Sequence, residues 1–284
     1  MRLIVANRFT VDGLVLADGE QGAVNAGSGA GGSIWIDADV ITGSGTIQVN
    51  GGAGYFDDNG TTGAGAGGRL AIYAQTDNFS GNGSLQAYGG DDNSGNTAGA
   101  GTVYMNDGVS DGTLIVDNNS HNGQFAALLA GNYEFDAVQL TNNGHLEISG
   151  GLTITANMLQ GDDSAWLSVL GPVTATAVSI FQNVNITAAD TIEVAPGLTV
   201  YTITLAVPGQ LIGADDVFIN YGGELQLDAV SYPSGTLSLD EIDIVDGQLT
   251  LNSYANANTN YTDDYGFTLS AYTVTVGSAG AIAA

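Results

Sequence analysis

The chain has no cysteine and no lysine, and it has few arginines, histidines and prolines. The missing cysteines exclude disulfide bonds and thiolate metal sites. Three arginines against 30 acidic residues give a net charge of −27 at pH 7. Such a charge repels nucleic-acid phosphates and anionic lipid headgroups, so we expect no nucleic-acid partner and no direct membrane insertion.

Long apolar stretches are also missing. No run of residues is apolar enough to span a bilayer, and the opening MRLIVANRFTVDG lacks the apolar core of a signal peptide. No segment shows helical spacing of apolar residues, whereas Val, Ile, Thr and Tyr recur at alternate positions. Since 44% of the residues are hydrophobic, the chain can bury a core, and these features predict an all-β fold.

The chain is rich in glycine, with 43 residues, and many of them belong to a unit that recurs. GSGAGGSIWI at 27–36 returns as GAGAGGRLAI at 63–72, an offset of 36 residues, and GAGTVYM at 99–105 begins a third copy. Likewise, ITGSGTIQVNGG at 41–52 matches NFSGNGSLQAYGG at 78–90. Such a period is typical of stacked supersecondary units, and glycine-rich runs let backbones approach closely at corners between strands.

Alternation within each copy predicts which side chains face inward. In SIWIDADVI, alternate residues starting at Ile34 share one face, and Trp35, Asp37 and Asp39 share the other. The same reasoning predicts these further inward residues: Leu70, Ile72, Ala74, Val103 and Met105 in first strands, and Ile47, Val49, Leu85, Ala87, Leu114 and Val116 in second strands. It also predicts that Gln48 and Gln86 lie in one outward column.

After residue 117 the composition changes. Glycine becomes rarer, and a looser strand–turn–strand motif recurs, as in DDVFINYGGELQLDA. We predict an N-terminal rung or cap at 1–26, a Gly-rich repeat β-helix at 27–117, and a continuing β-helix with Thr/Val/Leu-rich rungs at 118–284. Because the final TVTVGSAGAIAA stops within an apolar pattern, we also expect the chain to be a fragment of a longer protein.

The segments GGSIWIDADVITGSGTIQVNGGAG, GAGAGGRLAIYA, AGTVYMND and GTLIVDNN resemble a module that recurs in very large surface proteins of environmental bacteria and archaea. The resemblance covers roughly residues 25–150 well and the remainder only in style. It implies a right-handed parallel β-helix (β-solenoid) with long Gly/Asp-rich loops, broadly similar to filamentous adhesins. The implied location is extracellular, at the cell surface. The implied role is a rigid stalk or cell-contact element, with other surface components, glycans or copies of itself as partners.

Paired acids form the first candidate site. Asp57, Asp58 and Asn59 lie in the loop YFDDNG, and Asp91, Asp92 and Asn93 lie in the equivalent loop one repeat later. Carboxylate, amide and carbonyl oxygens are the ligands that Ca²⁺ prefers, so these loops are candidates for bound calcium. The regular spacing of known calcium loops is absent, however, and the same residues make good turns on a soluble surface, so both interpretations stay open.

Outward aromatic residues form the second candidate site. Trp35 and Tyr104 occupy matching outward positions, and Tyr73 lies nearby. Exposed rings of this kind stack on sugar rings, which favours a carbohydrate-binding face. Alternatively, the rings cover neighbouring loops or pack along the stack of strands.

Catalytic signatures are weak throughout the chain. His121 and His145 are the only histidines, and neither has a nucleophile motif near it. Paired carboxylates hydrolyse glycosides in some β-helices, but the basic residues that such sites also use are almost missing here. We therefore expect no enzyme activity. Besides the stalk, two alternatives remain: a carbohydrate-binding β-helix module, and a self-assembling filament subunit whose open terminal strands pair.

Overall fold

The computed structural model describes residues 1–57, 60–92, 97–128, 131–148, 152–162, 164–169, 173–175, 178–182, 185–188, 192–194, 197–201, 204–207, 210–212, 214–220, 222–228, 236–252 and 267–284. These residues form β-strands and turns and contain no helix, which confirms the predicted all-β class. The chain divides into two compact units. The N-terminal unit holds residues 1–127, 135–146 and 164–166, and the C-terminal unit holds 128–134, 147–163 and 167–284.

The strands follow one another closely along the chain. The first thirteen are β1 (Arg2–Thr10), β2 (Leu14–Leu16), β3 (Ser33–Thr42), β4 (Thr46–Gln48), β5 (Phe56–Asp57), β6 (Gly60–Thr61), β7 (Arg69–Asn78), β8 (Ser84–Gln86), β9 (Thr102–Asn106), β10 (Thr113–Asp117), β11 (Ala126–Ala127), β12 (Gly131–Thr141) and β13 (His145–Ile148). The others are β14 (Leu152–Gly161), β15 (Trp166–Val169), β16 (Val173–Ala175), β17 (Val178–Gln182), β18 (Asn185–Ala188), β19 (Ile192–Val194), β20 (Gly197–Tyr201), β21 (Thr204–Val207), β22 (Leu211–Ile212), β23 (Asp216–Asn220), β24 (Gly223–Asp228), β25 (Thr236–Asn252) and β26 (Thr268–Ala283).

Two parallel ladders build the beginning of the N-terminal unit. One consists of β1, β3, β7 and β9, and the other of β2, β4 and β8. Ser33 pairs with Arg69, so the ladder register equals the sequence offset of the repeat, and Gln48 lies beside Gln86 as predicted. Most of the predicted inward residues of these strands form an aliphatic core that includes Ile36, Ile47 and Ile72. The alternation shifts near the end of β3, so Ile41 lies in the core and the prediction that Val40 faces inward was wrong.

A single buried phenylalanine explains why the repeat offset grows between the two ladders. The corner after β3 has three residues, 43–45, whereas the corner after β7 has five, 79–83. Phe79 is fully buried in the longer corner, and its ring lies where a Cβ on Gly83 would be. The insertion therefore fills the core with an aromatic ring while both ladders keep their register.

Glycine-rich segments stack beside these ladders at very short range. Backbone hydrogen bonds link Gly52 to Gly29 and Gly65 to Gly52, each 2.9 Å long, and Gly90 to Gly65, 2.8 Å. A Cβ on Gly65 would lie 1.9 Å from the carbonyl oxygen of Gly29. The repeated glycines are thus required by the close approach of neighbouring backbones.

The third copy of the repeat does not continue as predicted. We expected the segment around Leu114 and Val116 to be the second strand of a third parallel rung, but β10 pairs antiparallel with β9 as a hairpin. Both residues are buried, yet Leu114 lies opposite Tyr104, so its side chain is on the face that is outward in β3 and β7. Leu114 also pairs with Val138 of β12. From this hairpin onward, the sheet therefore buries the face that is outward in β3 and β7.

The C-terminal unit is built from further parallel ladders. One contains β17, β20, β23 and β25, another contains β21, β24 and β25, and β26 pairs with β25 along nearly all its length. Identical registers place aliphatic side chains in columns, such as Val200 beside Ile219 and Ile219 beside Ile244. These three side chains are completely buried.

Candidate functional site

A row of aromatic rings lies on the outer face of the N-terminal ladder. The ring centroids of Trp35 and Tyr73 are 5.4 Å apart, and those of Tyr73 and Tyr104 are 5.7 Å apart. The guanidinium carbon of Arg2 lies 4.8 Å from the Trp35 ring centroid, within cation–π range. The structure therefore brings together all three aromatic residues that the sequence singled out.

The strand register explains the zigzag of this row. Trp35 and Tyr104 both align with Ala71, so a small residue separates the two large ones in their column. Tyr73 is two residues further along β7, on the same face, and its ring contacts both neighbours across the gap that Ala71 leaves. Trp35 remains 41% exposed, which leaves part of the row open to a ligand.

Hydrogen bonds hold the side chain of Tyr104 at the far end of the row. The Tyr104 hydroxyl donates to the Asp111 carbonyl at 2.8 Å and accepts from Asn106 Nδ2 at 2.8 Å. Burial raises the pKa of Tyr104 above its ordinary value, and nearby Tyr73, Asp111 and Asp136 act in the same direction against the Asn106 hydrogen bond.

Sequence analysis did not find the residues at the two ends of the row. Arg2 lies on β1, which precedes the recognisable repeats, and the Phe135 ring packs 5.9 Å from Tyr104. Phe135 belongs to β12, which joins this sheet only because β10 reverses direction, so no repeat spacing could align it with Tyr104.

The acidic loops are described only in part. Asp57 ends β5 opposite Gly60, while Asp58, Asn59 and Asn93 lie outside the described residues. Gly54 donates to the carbonyl of Asp91 at 3.0 Å, so the backbones that lead into the two loops lie side by side. Asp92 is 2% exposed.

Within the part of the chain that the structure describes, no three acidic or histidine side chains lie close enough together to hold a metal ion. The Asp91 carboxylate lies 4.0 Å from His121 Nε2, and the His145 ring packs against Phe125. This histidine–carboxylate pair could exchange a proton, but a hydrolase would also need a nucleophile or a second carboxylate aimed at the same point.

Comparison of the chain with protein-family models, with curated proteins and with solved structures found no match. Among the described residues, no helix is long and apolar enough to cross a membrane.

Proposed function

We propose that this chain is a right-handed parallel β-helical segment of a large cell-surface protein and acts as a rigid stalk or adhesive element. The observation that carries the proposal is the agreement between the sequence offset of 36 residues and the register of β3 with β7. When the repeat length equals the register between paired strands, each repeat can stack on the next in the same way.

Rigidity would come from three features of the stacked strands. Aliphatic columns such as Ile36 beside Ile72 bury a continuous apolar core. The glycine segments are joined to one another by backbone hydrogen bonds. The excess of acidic residues keeps the outer surface hydrated and soluble outside the cell.

Single-molecule pulling on the full chain tests the stalk role. We expect the chain to extend in discrete steps, with unfolding of one 36-residue repeat adding roughly 120 Å at about 3.3–3.6 Å per residue. Ile36→Ala should lower the force of the N-terminal steps because a buried aliphatic cavity costs about 2–5 kcal/mol. Its control is Asp37→Ala, on the outer face of the same strand.

The stalk proposal fails if the wild-type chain extends smoothly at low force, or if Ile36→Ala and Asp37→Ala have equal effects. Adhesion is tested separately by coating beads with the full chain and measuring their retention on cell surfaces. Retention equal to that of uncoated beads would leave only the structural role.

Carbohydrate binding is the second candidate, and the aromatic row favours it. Trp35, Tyr73 and Tyr104 provide adjoining apolar rings, and Arg2 provides hydrogen-bond donors at one end of the row. A glycan array probed with the full chain should give signals that Trp35→Ala abolishes. Trp166→Ala is the matched control because Trp166 is similarly exposed, at 48%. An array without signal, or equal losses in both variants, would contradict this role.

We further propose that Ca²⁺ binds the loops around Asp57 and Asp91 and stiffens the segment. Thermal melts in chelator and then in increasing Ca²⁺ should show a rising melting temperature. The rise should shrink in Asp92→Asn and persist in Asp37→Asn, which removes the same charge from an exposed strand position. A melting temperature that ignores calcium would leave the acids as a solubilising surface.

A further inference from the structure

An open cleft of about 480 Å³ lies beside the second half of β7 in the N-terminal unit. Four apolar side chains line it: Ile72, Ala74, Met105 and Ile115. Three carboxylates from three different segments line it as well: Asp77, Asp107 and Asp136. Its volume lies within the range of about 300–1,000 Å³ that is usual for ligand sites.

The cleft exists because β9 is shorter than β7. β9 pairs with β7 only from Arg69 to Tyr73, and after Asn106 the chain turns back to form β10. Residues 74–78 of β7 therefore pair with β3 on one side and, among the described residues, with no strand on the other.

Backbone groups on this open edge can be assigned from the hydrogen bonds at the start of β7. The Arg69 N–H donates to Gly32, toward β3, whereas the Gly68 carbonyl accepts from Thr102, toward β9. This direction alternates along a regular strand, but the pairing of β3 with β7 skips Asp39 and Gln75, and the buried side of β3 changes from Ala38 to Ile41. Thr76 therefore pairs with β3, and Ala74 and Asp77 are the residues of this edge that line the cleft. An edge of this kind is a template for a further strand.

Two of the three carboxylates, those of Asp77 and Asp107, have no cationic group of this chain close by. No arginine, histidine or amino terminus lies within 4.0 Å of the carboxylates of Asp77 or Asp107. Asp77 Oδ1 accepts from the backbone of Phe79 and Ser80. Hydrogen bonds from Ser110 and Val109 lower the pKa of Asp107, so this carboxylate is ionised at neutral pH.

We propose that this cleft binds an extended cationic peptide segment, which adds one strand to the open edge of β7. Main-chain hydrogen bonds to the uncovered edge of β7 at Ala74 and Asp77 would supply the register, as in other cases of strand addition. Lysine or arginine side chains on one face of the bound strand would lay their methylene stems on the apolar floor and reach Asp77 and Asp107 with their charged ends. This inference does not depend on the stalk role.

The test uses the full chain, at about 150 mM salt to screen general attraction, and a fluorescent peptide Thr-Val-Lys-Val-Lys-Val-Thr measured by anisotropy. Two comparison peptides separate the contributions. The first replaces both lysines with glutamates, and the second carries N-methyl groups on alternate backbone nitrogens. We expect saturable binding of the lysine peptide and none of either comparison peptide.

Matched variants locate the site. Asp77→Asn/Asp107→Asn keeps the oxygen that accepts the backbone hydrogen bonds, and should weaken binding about tenfold, a loss of about 1.4 kcal/mol. Asp37→Asn/Asp39→Asn removes the same charge from exposed positions of β3 and should leave binding unchanged. Equal weakening in both variants would reduce the effect to overall charge and overturn the proposal. Undiminished binding of the N-methylated peptide would overturn strand addition without relying on any variant.

Discussion

Gly67 lies where two backbones cross at the shortest possible range. Its N–H donates to Gly99 at 3.0 Å, and a Cβ at this position would lie 2.0 Å from the Ala87 carbonyl oxygen and 2.4 Å from the Gly101 nitrogen. The Gly101 N–H donates to the Ala87 carbonyl at 2.6 Å, so neither atom can move without breaking this hydrogen bond. The need for glycine here is therefore set by packing and not by an unusual φ.

Gly67→Ala should therefore lower the free energy of unfolding by about 1–3 kcal/mol, or more, through overpacking. Gly63→Ala is the control, since nothing lies within 4 Å of a Cβ at that exposed position. It should be neutral or stabilise by about 0.4–1 kcal/mol because alanine has less freedom in the unfolded chain. Urea denaturation measures both values, and equal values would contradict the required close approach.

Asn118 is a buried amide whose hydrogen bonds hold three backbone segments. Its Oδ1 accepts from the Gly89 N–H at 2.9 Å, and its Nδ2 donates to the carbonyls of His121 at 2.8 Å and Ala98 at 3.3 Å. With 1% of its surface exposed, no water could replace these partners at low cost.

Asn118→Leu should cost about 2–3 kcal/mol or more, since it leaves buried backbone groups unpaired. Asn122→Leu changes the same residue type at an exposed position of the same turn and should have an effect within about 0.5 kcal/mol. Chemical denaturation of the two variants compares them directly. A harmless Asn118→Leu would mean that the turn is held by other contacts.

Tyr104 predicts a response to alkaline pH. Burial, the largest cause, raises its pKa in the folded state above the ordinary 10.0, so the folded chain holds the phenol proton more tightly. Its contribution to stability is complete below pH 10.0 and is lost as the pH rises through the folded-state pKa. Tyr104→Phe should reduce this alkaline loss, measured by urea denaturation at a series of pH values. An unchanged pH profile in the variant would rule out Tyr104 as its source.

At the scale of strands, like charges meet in the C-terminal unit. Asp216 of β23 lies directly opposite Glu241 of β25 in a parallel ladder. By contrast, Glu224 of β24 accepts a hydrogen bond from Thr250 Oγ1 at 2.7 Å, so an acid in a neighbouring ladder is stabilised by its partner. The outer face therefore mixes favourable and unfavourable cross-strand pairs.

Glu241→Lys should stabilise the chain by about 0.2–1 kcal/mol because it turns a repulsive pair into an attractive one. Asp240→Lys makes the same change of charge at the adjacent exposed position, which the register does not place opposite Asp216. Both variants are measured by thermal melts in the same buffer. Subtracting the effect of Asp240→Lys from that of Glu241→Lys removes the part that comes only from lowering the net negative charge. A difference of zero would show that Asp216 and Glu241 do not interact.

The sequence predicted most strands and many inward residues, but it missed the reversal at β10. The reversal depends on the turn NDGVSDG, in which Gly108 and Gly112 have φ of 80° and 77° and Asp107 accepts hydrogen bonds from Val109 and Ser110. Asp-Gly pairs between two alternating segments are a hairpin signal. That signal was outweighed by the expectation that each copy repeats the one before it.

For the whole molecule, charge dominates the long-range energetics. With 30 acidic residues and three basic ones, self-repulsion opposes folding and keeps copies apart at low salt. Two of the three arginines, Arg2 and Arg8, lie on β1, and no charged residue occurs in 267–284. Close approach of two copies would therefore be least opposed at these terminal strands, as the filament alternative requires.

Raising NaCl from about 10 mM to about 500 mM should raise the melting temperature, because the Debye length falls from about 30 Å to only a few ångströms. Sucrose at equal osmolality serves as the uncharged control. Sedimentation velocity over the same salt series tests end-to-end association. A melting temperature that does not rise with salt would show that the acids are too far apart, or too well hydrated, to oppose folding.

Alternation of side chains, strand spacing and glycine placement were determined by the sequence alone, because each follows from local geometry with a period of two residues or of one repeat. Which face of the sheet is buried at each strand was decided by tertiary structure. Leu114 and Ile115 are both apolar, and only the antiparallel pairing with β9 places Leu114 on the side of Tyr104 and Ile115 against the first core. The cleft beside β7 arises in the same way, since a strand edge is open or covered according to where a distant segment turns.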